Sequence, residues 1–375
     1  MASTSAFLPR DLHPGAWWLW SLGLAVAASR TTNPWLLLLI LAVACHVVVM
    51  RRSDAPWAMA FRLYLYLAAV IVVVRVAFRV LLGGSDGQGT VLVHLPTIPL
   101  PQWVAGIQLL GDVTAESVLA GLYDGLRLAT MVVCLGAANA LANPKRLLKA
   151  MPAALYEVGT AVVVALSVFP QLAESTIRVR RARRLRGGAD RRLHVLHTIV
   201  VPVLEDAFDR SLQLAASMDS RGYGRSGEAS ARTRVVTGTL MVAGLLGVCV
   251  GVYATLDGTA PRLLAAPLLV LGLLVAGAGF VVAGRRVERT RYRPDRWRLP
   301  ELLVVASGVT VAVVLFVTSS FDPQDVNPSL TPLQWPGLGT VPLLGVLVGV
   351  LPSFLTPPPA QRRAAAPRES VEVAA

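Results

Sequence analysis

Two arginines, each followed directly by glycine, have the best claim to chemistry in this chain. Arg186-Gly187 closes the run RVRRARRLRGG, and Arg221-Gly222 closes SLQLAASMDSRG. A guanidinium holds its N–H donors in a fixed fork and keeps its proton, so its chemistry is recognition of carboxylates and carbonyls, not proton transfer. Glycine adopts the left-handed backbone that ends a helix, which makes Gly187 and Gly222 the expected stops of two helices. The arginine before each stop stands at the negative end of the helix dipole, anchored by the last carbonyls yet projecting outward. One Arg-Gly helix end is ordinary capping. Two, on consecutive helices, describe a pair of docking points.

No other residues supply a reaction. There is no GxxxxGK[ST] loop, HExxH, nucleophile elbow or carboxylate pair, so neither a P-loop nucleotide site nor catalysis is expected. Cys45, Cys134 and Cys249 lie in apolar runs without CxxC spacing, as small packing side chains do. His46, His94, His194 and His197 lack a ligand pattern, although His194 and His197 stand three apart on one expected helix. The chain is read as non-catalytic, binding no cofactor and no metal. Its formal charge of +13 is concentrated between apolar runs, with no motif that reads bases, so nucleic acid is not an expected partner.

The elements that must hold these arginines follow from composition. Hydrophobic residues make up 54% of the chain and charged ones 15%, against about 25% charged in a soluble domain; mean hydropathy is +0.60. Crossing a bilayer takes roughly 20 mostly apolar residues. Eight runs are read as spans: 16–29, short but opening on a tryptophan cluster, then 33–50, 57–82, 117–142, 235–256, 263–284, 301–320 and 340–355. The first passes straight into the second and is read as retained, not as a cleaved leader. The pattern predicts an all-α integral membrane protein with about eight transmembrane helices and a cytoplasmic pair of long amphipathic helices.

Orientation comes from arginine and lysine, which mark cytoplasmic loops. They collect at 51–56, at 143–151 with both lysines, and at 285–298 with seven arginines in fourteen residues. Both termini are therefore placed in the cytoplasm, with the spans in the cell membrane. The scheme closes only if residues 143–234 stay on that side. Within them, the thirteen apolar-rich residues between Glu157 and Gln171 are too few to cross. They are read as a surface helix that runs into the arginine-rich stretch, kinked or restarted at Pro170. The expected divisions are a four-span domain at 1–142, a coupling-helix region at 143–234, a four-span extension at 235–356 and a disordered tail at 357–375.

Residues 191–221 read as a second helix, roughly 45 Å long at 1.5 Å per residue. Leu193, Leu196, Val200, Val203, Leu204, Ala207, Phe208, Leu212, Ala215 and Met218 recur at three- and four-residue steps, giving one apolar stripe. Glu205, Asp206, Asp209 and Arg210 take other positions. Inside the spans, Arg75 and Asp124 each lie about seven residues from the outer end, roughly 10 Å deep, and Arg127 follows one turn on. An unpaired charge there costs at least about 3 kcal/mol, so Arg75 and Asp124 are expected to pair, as a helix clamp or as part of a polar track.

These residues resemble a known family. LAASMDSRGYG looks like the second signature of the transmembrane T component of energy-coupling-factor transporters, the cobalt-transport CbiQ-like proteins, and RRARRLRGG is similar to the first. Leu185 stands where the family more often has alanine or serine. ESVLAGLYDGLRLATMVVCLGAANALANPKRLLKAMPAAL resembles the family's helix with a central arginine, here Arg127, and SVFPQLAESTIRVRRARRLRG its helix entering the first signature. The likeness runs over about residues 55 to 225, with a weaker echo at LHP, residues 12–14. A family member usually has about one span after the second signature; this chain has four.

The resemblance implies a coupling subunit for uptake of a vitamin or a transition-metal ion. Two cytoplasmic ABC-type ATPases, holding ATP and Mg, would each receive one arginine in a groove. Arg186 and Arg221 would be those arginines, flanked by Leu185, Gly187, Ser220 and Gly222. A small substrate-binding membrane subunit would be the third partner, with the lipid bilayer around all of them. Two readings of other classes stand beside this one. A membrane scaffold with a basic cytoplasmic face would need only scattered positive charge. A self-sufficient secondary transporter would show related halves with interrupted spans, and no internal repeat is evident.

Overall fold

A computed structural model describes residues 10–53, 59–82, 90–96, 111–185, 192–222, 231–256, 262–284 and 295–358. In chain order its helices are α1 (Pro14–Ser29), α2 (Pro34–Arg51), α3 (Phe61–Leu82), α4 (Ala115–Leu141), α5 (Pro144–Ala150), α6 (Tyr156–Leu185) and α7 (Arg192–Ser220). They continue with α8 (Ala231–Leu256), α9 (Arg262–Gly284), α10 (Leu299–Phe321), α11 (Pro323–Val326), α12 (Thr340–Val348) and α13 (Pro352–Leu355). Two short strands, β1 (Val91–Val93) and β2 (Val113–Thr114), pair antiparallel between α3 and α4. The chain divides into two units, Met1–Ala150 with Asp295–Ala375, and Met151–Pro294. The protein is an all-α integral membrane protein.

In the first unit α1 is the buried helix. Proline at the first helical position and a capping side chain start both α1 and α2. His13 Nδ1 accepts from the Gly15 amide at 3.1 Å, and Asn33 Oδ1 accepts from that of Trp35 at 3.0 Å. Trp20, Leu24, Ala27 and Ala28 are fully buried, and α1 packs on α4 and α10. Its approach to α10 is backbone to backbone: a Cβ on Gly308 would lie 2.6 Å from Trp20 Cα. The Trp20 indole N–H donates to the Gly349 carbonyl at 3.2 Å, just past α12. At the other end of α1, Thr31 Oγ1 donates to the Val326 carbonyl and Asn33 Nδ2 to that of Gly337, both at 2.6 Å.

In the second unit α8 and α9 form a close pair. A Cβ on Gly272 would meet the Gly247 carbonyl carbon at 2.5 Å, the small-residue contact that lets membrane helices touch. The outer faces of α3, α8 and α9 carry exposed Leu, Val and aromatic side chains, as contact with acyl chains requires.

Several expectations change. Seven helices among the described residues, not eight, are long and apolar enough to cross a membrane. Helix α1 has only 16 residues, and the run at 340–355 breaks into α12 and α13 at Gly349–Leu351. Helix α6, expected at the surface, does qualify by length and composition over Glu157–Ala182, because Gln171 and Glu174 interrupt the apolar run without ending it. It also continues through Pro170 as one helix, so the proline does not restart it. Of the expected extension at 235–356, α8 and α9 group with α6 and α7, while α10 to α13 complete the first unit around α1. The expected tail lies almost wholly outside the described residues.

Candidate functional site

The end of α7 is built as its sequence dictates. The helix stops at Ser220; the Arg221 amide donates to the Met218 carbonyl at 3.2 Å, and that of Gly222 to Asp219 at 2.9 Å. Gly222 has a φ of 75°, the left-handed conformation that an L side chain strains to adopt. Arg221 is left exposed, and no side-chain partner holds it among the described residues. Its guanidinium is free to meet an acceptor on another protein. Helix α6 ends at Leu185, 88% exposed. Arg186 and Gly187 lie outside the described residues.

Helices α6 and α7 cross antiparallel through a polar knot. Asp206 accepts from Arg178 at 3.2 Å and from Arg210 at 3.1 Å, and Arg210 reaches Gln171 at 3.4 Å. The Ser175 hydroxyl, and then Arg210, hold the Asp206 carboxyl below the usual carboxylate range. Beside the knot is a groove of about 350 Å³ lined by Val164, Val168, Leu172, Ala207, Leu214 and Met218. This arrangement corrects the expected amphipathicity. Asp206 and Arg210, expected away from the packed face, point at α6. Val200, Leu204, Phe208 and Leu212 of the expected apolar stripe stay exposed instead, Phe208 at 65%. Asp206 and Arg210 bond each other within α7 and each reaches a partner on α6, whereas the stripe is left for another apolar surface.

The expected Arg75–Asp124 ion pair does not form: among the described residues neither side chain has a partner within bonding distance. The two residues stand at one level of the helix pair, but Asp124 faces another direction. Gly125, one residue from Asp124, is what Arg75 packs on, and Gly121 takes Arg79 one turn away. Asp124 is turned off that contact by roughly 100°, the angle between successive helical residues. Arg127 does clamp, to a different helix: its guanidinium donates to the Ser29 carbonyl at the end of α1. Arg30, next in sequence, lies over the Phe316 ring at 4.6 Å. Two cations thus face the negative end of α1.

Sequence reasoning missed a charged cluster at the opposite end of α1. Arg10 pairs with Glu301 at 3.0 Å, the carboxylate being only 1% exposed; Arg146 holds Asp295 at 3.0 Å and Asp11 at 3.5 Å. His13 stacks on Trp297, ring centres 4.8 Å apart. Burial pushes the His13 imidazole below its ordinary range, against the pull of Asp295. The one signal in the sequence was the LHP tripeptide.

Comparison with known proteins bears on the same segment. The family model described as cobalt transport protein, CbiQ, matches residues 5–232, well over half the chain. This chain belongs to the CbiQ family. The match begins before the α1 cap and ends beyond the α7 stop, so it contains both Arg-Gly pairs. The energy-coupling factor transporter transmembrane protein EcfT of Exiguobacterium sibiricum is 31% identical over 97 residues, 24% of this chain and 36% of that protein. The chain thus matches about a third of that relative's length. As a CbiQ family member it is a membrane component of a transport system. All but the first two residues of α8, and α9 to α13, lie past the family match.

Proposed function

We propose that this chain is the transmembrane coupling subunit of an energy-coupling-factor transporter, passing the motion of two cytoplasmic ATPases to a small substrate-binding membrane subunit. The observation that carries the reading is Arg221, exposed at the glycine-stopped end of a long helix inside the family match. ATP and Mg belong to the ATPases; when these close on nucleotide, their grooves converge and any helix end pinned in them must follow. The knot at Asp206 joins α6 to α7, so displacement of either helix end reaches both. The exposed stripe through Leu204, Phe208 and Leu212 gives the substrate-binding subunit an apolar surface to slide on. Cargo is a vitamin or a transition-metal ion, and the family's description favours cobalt.

Arg221→Ala tests the reading. Uptake should fall at least tenfold, and the ATPases should no longer co-purify in mild detergent, while the amount of inserted protein stays unchanged. Full uptake by this variant would refute it. The cytoplasmic placement has its own test: a cysteine at position 188 should resist membrane-impermeant maleimide in intact cells and react after lysis.

A further inference from the structure

At the end of the first unit where α1 and α10 begin and α2 and α4 finish, there is a polar cavity of about 40 Å³ that coupling does not use. Arg10, Arg51 and Arg146 line it, with Ser53, Asn143 and Trp17. Each of the arginines is engaged through a terminal nitrogen. Arg10 grips Glu301 with both, at 3.0 and 3.2 Å, Arg146 holds Asp295 and Asp11, and Arg51 donates to the Ser353 carbonyl. Among the described residues two buried arginine donors remain: the Nε–H groups of Arg10 and Arg51 are shut off from solvent and have no acceptor there. Unpartnered buried donors are costly, and on charged groups more so.

The missing acceptor can be described from what surrounds it. Three guanidiniums and a single carboxylate, Asp11, line the cavity, and Asp11 is already engaged by Arg146. Such a lining favours an anion with several oxygens. One water takes roughly 10–15 Å³ of such space, so the cavity matches about three oxygen-sized atoms, too few for a nucleotide or an acyl chain. Its level matters too. Trp17 and Trp18 start α1, and Trp297, Arg298 and Lys145 are partly or fully exposed at the same end, the residues found where a span meets headgroups.

We propose that this cavity binds a phosphate group, carried by an anionic phospholipid or free in solution, with two of its oxygens accepting from Arg10 Nε and Arg51 Nε. The full-length protein in mild detergent is examined by native mass spectrometry and thermal unfolding, with added phosphatidylglycerol, diacylglycerol or sodium phosphate. One retained phosphatidylglycerol and a raised melting temperature, with no effect of diacylglycerol, support the site and name lipid as the source. An equal rise with sodium phosphate alone supports the site and names the free ion. No response to either means that the cavity holds only water, and overturns the proposal. The double variant Arg10→Lys with Arg51→Lys keeps both charges but removes both Nε donors, and should retain ligand at least tenfold less well. Arg52→Gln, on an exposed neighbour, should change nothing. Undiminished binding by the double variant also sinks the proposal, and if that variant misfolds, the wild-type comparison decides alone.

Discussion

His13 caps α1 with a ring lone pair that a proton would remove. Burial already disfavours the charged ring, so the unfolded chain takes up the proton first as the pH falls below about 6.5. Stability is then lost on acidification from that point downward. Melting between pH 7.5 and 5.5 should show this slope, and His13→Asn, which keeps an acceptor without titrating, should flatten it. Arg127 acts at the other end of the same helix. Arg127→Met removes a charge-assisted bond to the Ser29 carbonyl and should cost about 1.5–3 kcal/mol, read as a lower midpoint in detergent. Gly222→Ala places a side chain on a backbone with φ of 75° and should fray the last turn of α7 by about 1 kcal/mol, visible as faster amide exchange at residues 216–222.

Among the elements, α7 was legible to within one residue at each end, because a glycine stop and a helical repeat are both local signals. Its rotation was not. Apolar spacing says which face avoids water but not which neighbour it meets, and Asp206 and Arg210 turn to α6 because Arg178 and Gln171 there offer them polar partners. The same limit explains Arg75. Depth follows from counting along a helix, but azimuth depends on where Gly121 and Gly125 let the two helices meet. Arg10 and Glu301, far apart in sequence, left no local trace. For the α8–α9 pair, Gly272→Val would force the two backbones apart at Gly247 and should cost about 1–3 kcal/mol, seen as a lower melting temperature.

On the scale of the molecule, the first unit is assembled from the two ends of the chain. The family match stops at residue 232, yet the helix buried deepest within that match, α1, is enclosed partly by α10 and the turn at Gly349. The helices α10 to α13 are therefore part of the fold of the first unit, beside the segment that the family match covers. Gly308→Leu, which would collide with Trp20 Cα, should destabilise this unit while leaving α6 and α7 helical by amide exchange. A consequence concerns biogenesis. Helix α1, only 16 residues long, leaves the ribosome well ahead of α10, with Ser21 and Gly23 on faces that later contacts will cover. It ends at Ser29, whereas its companion does not begin until Leu299. Until then the translocon, a chaperone or provisional lipid must hold it, and a nascent chain arrested before residue 295 should be a preferred target for membrane proteases.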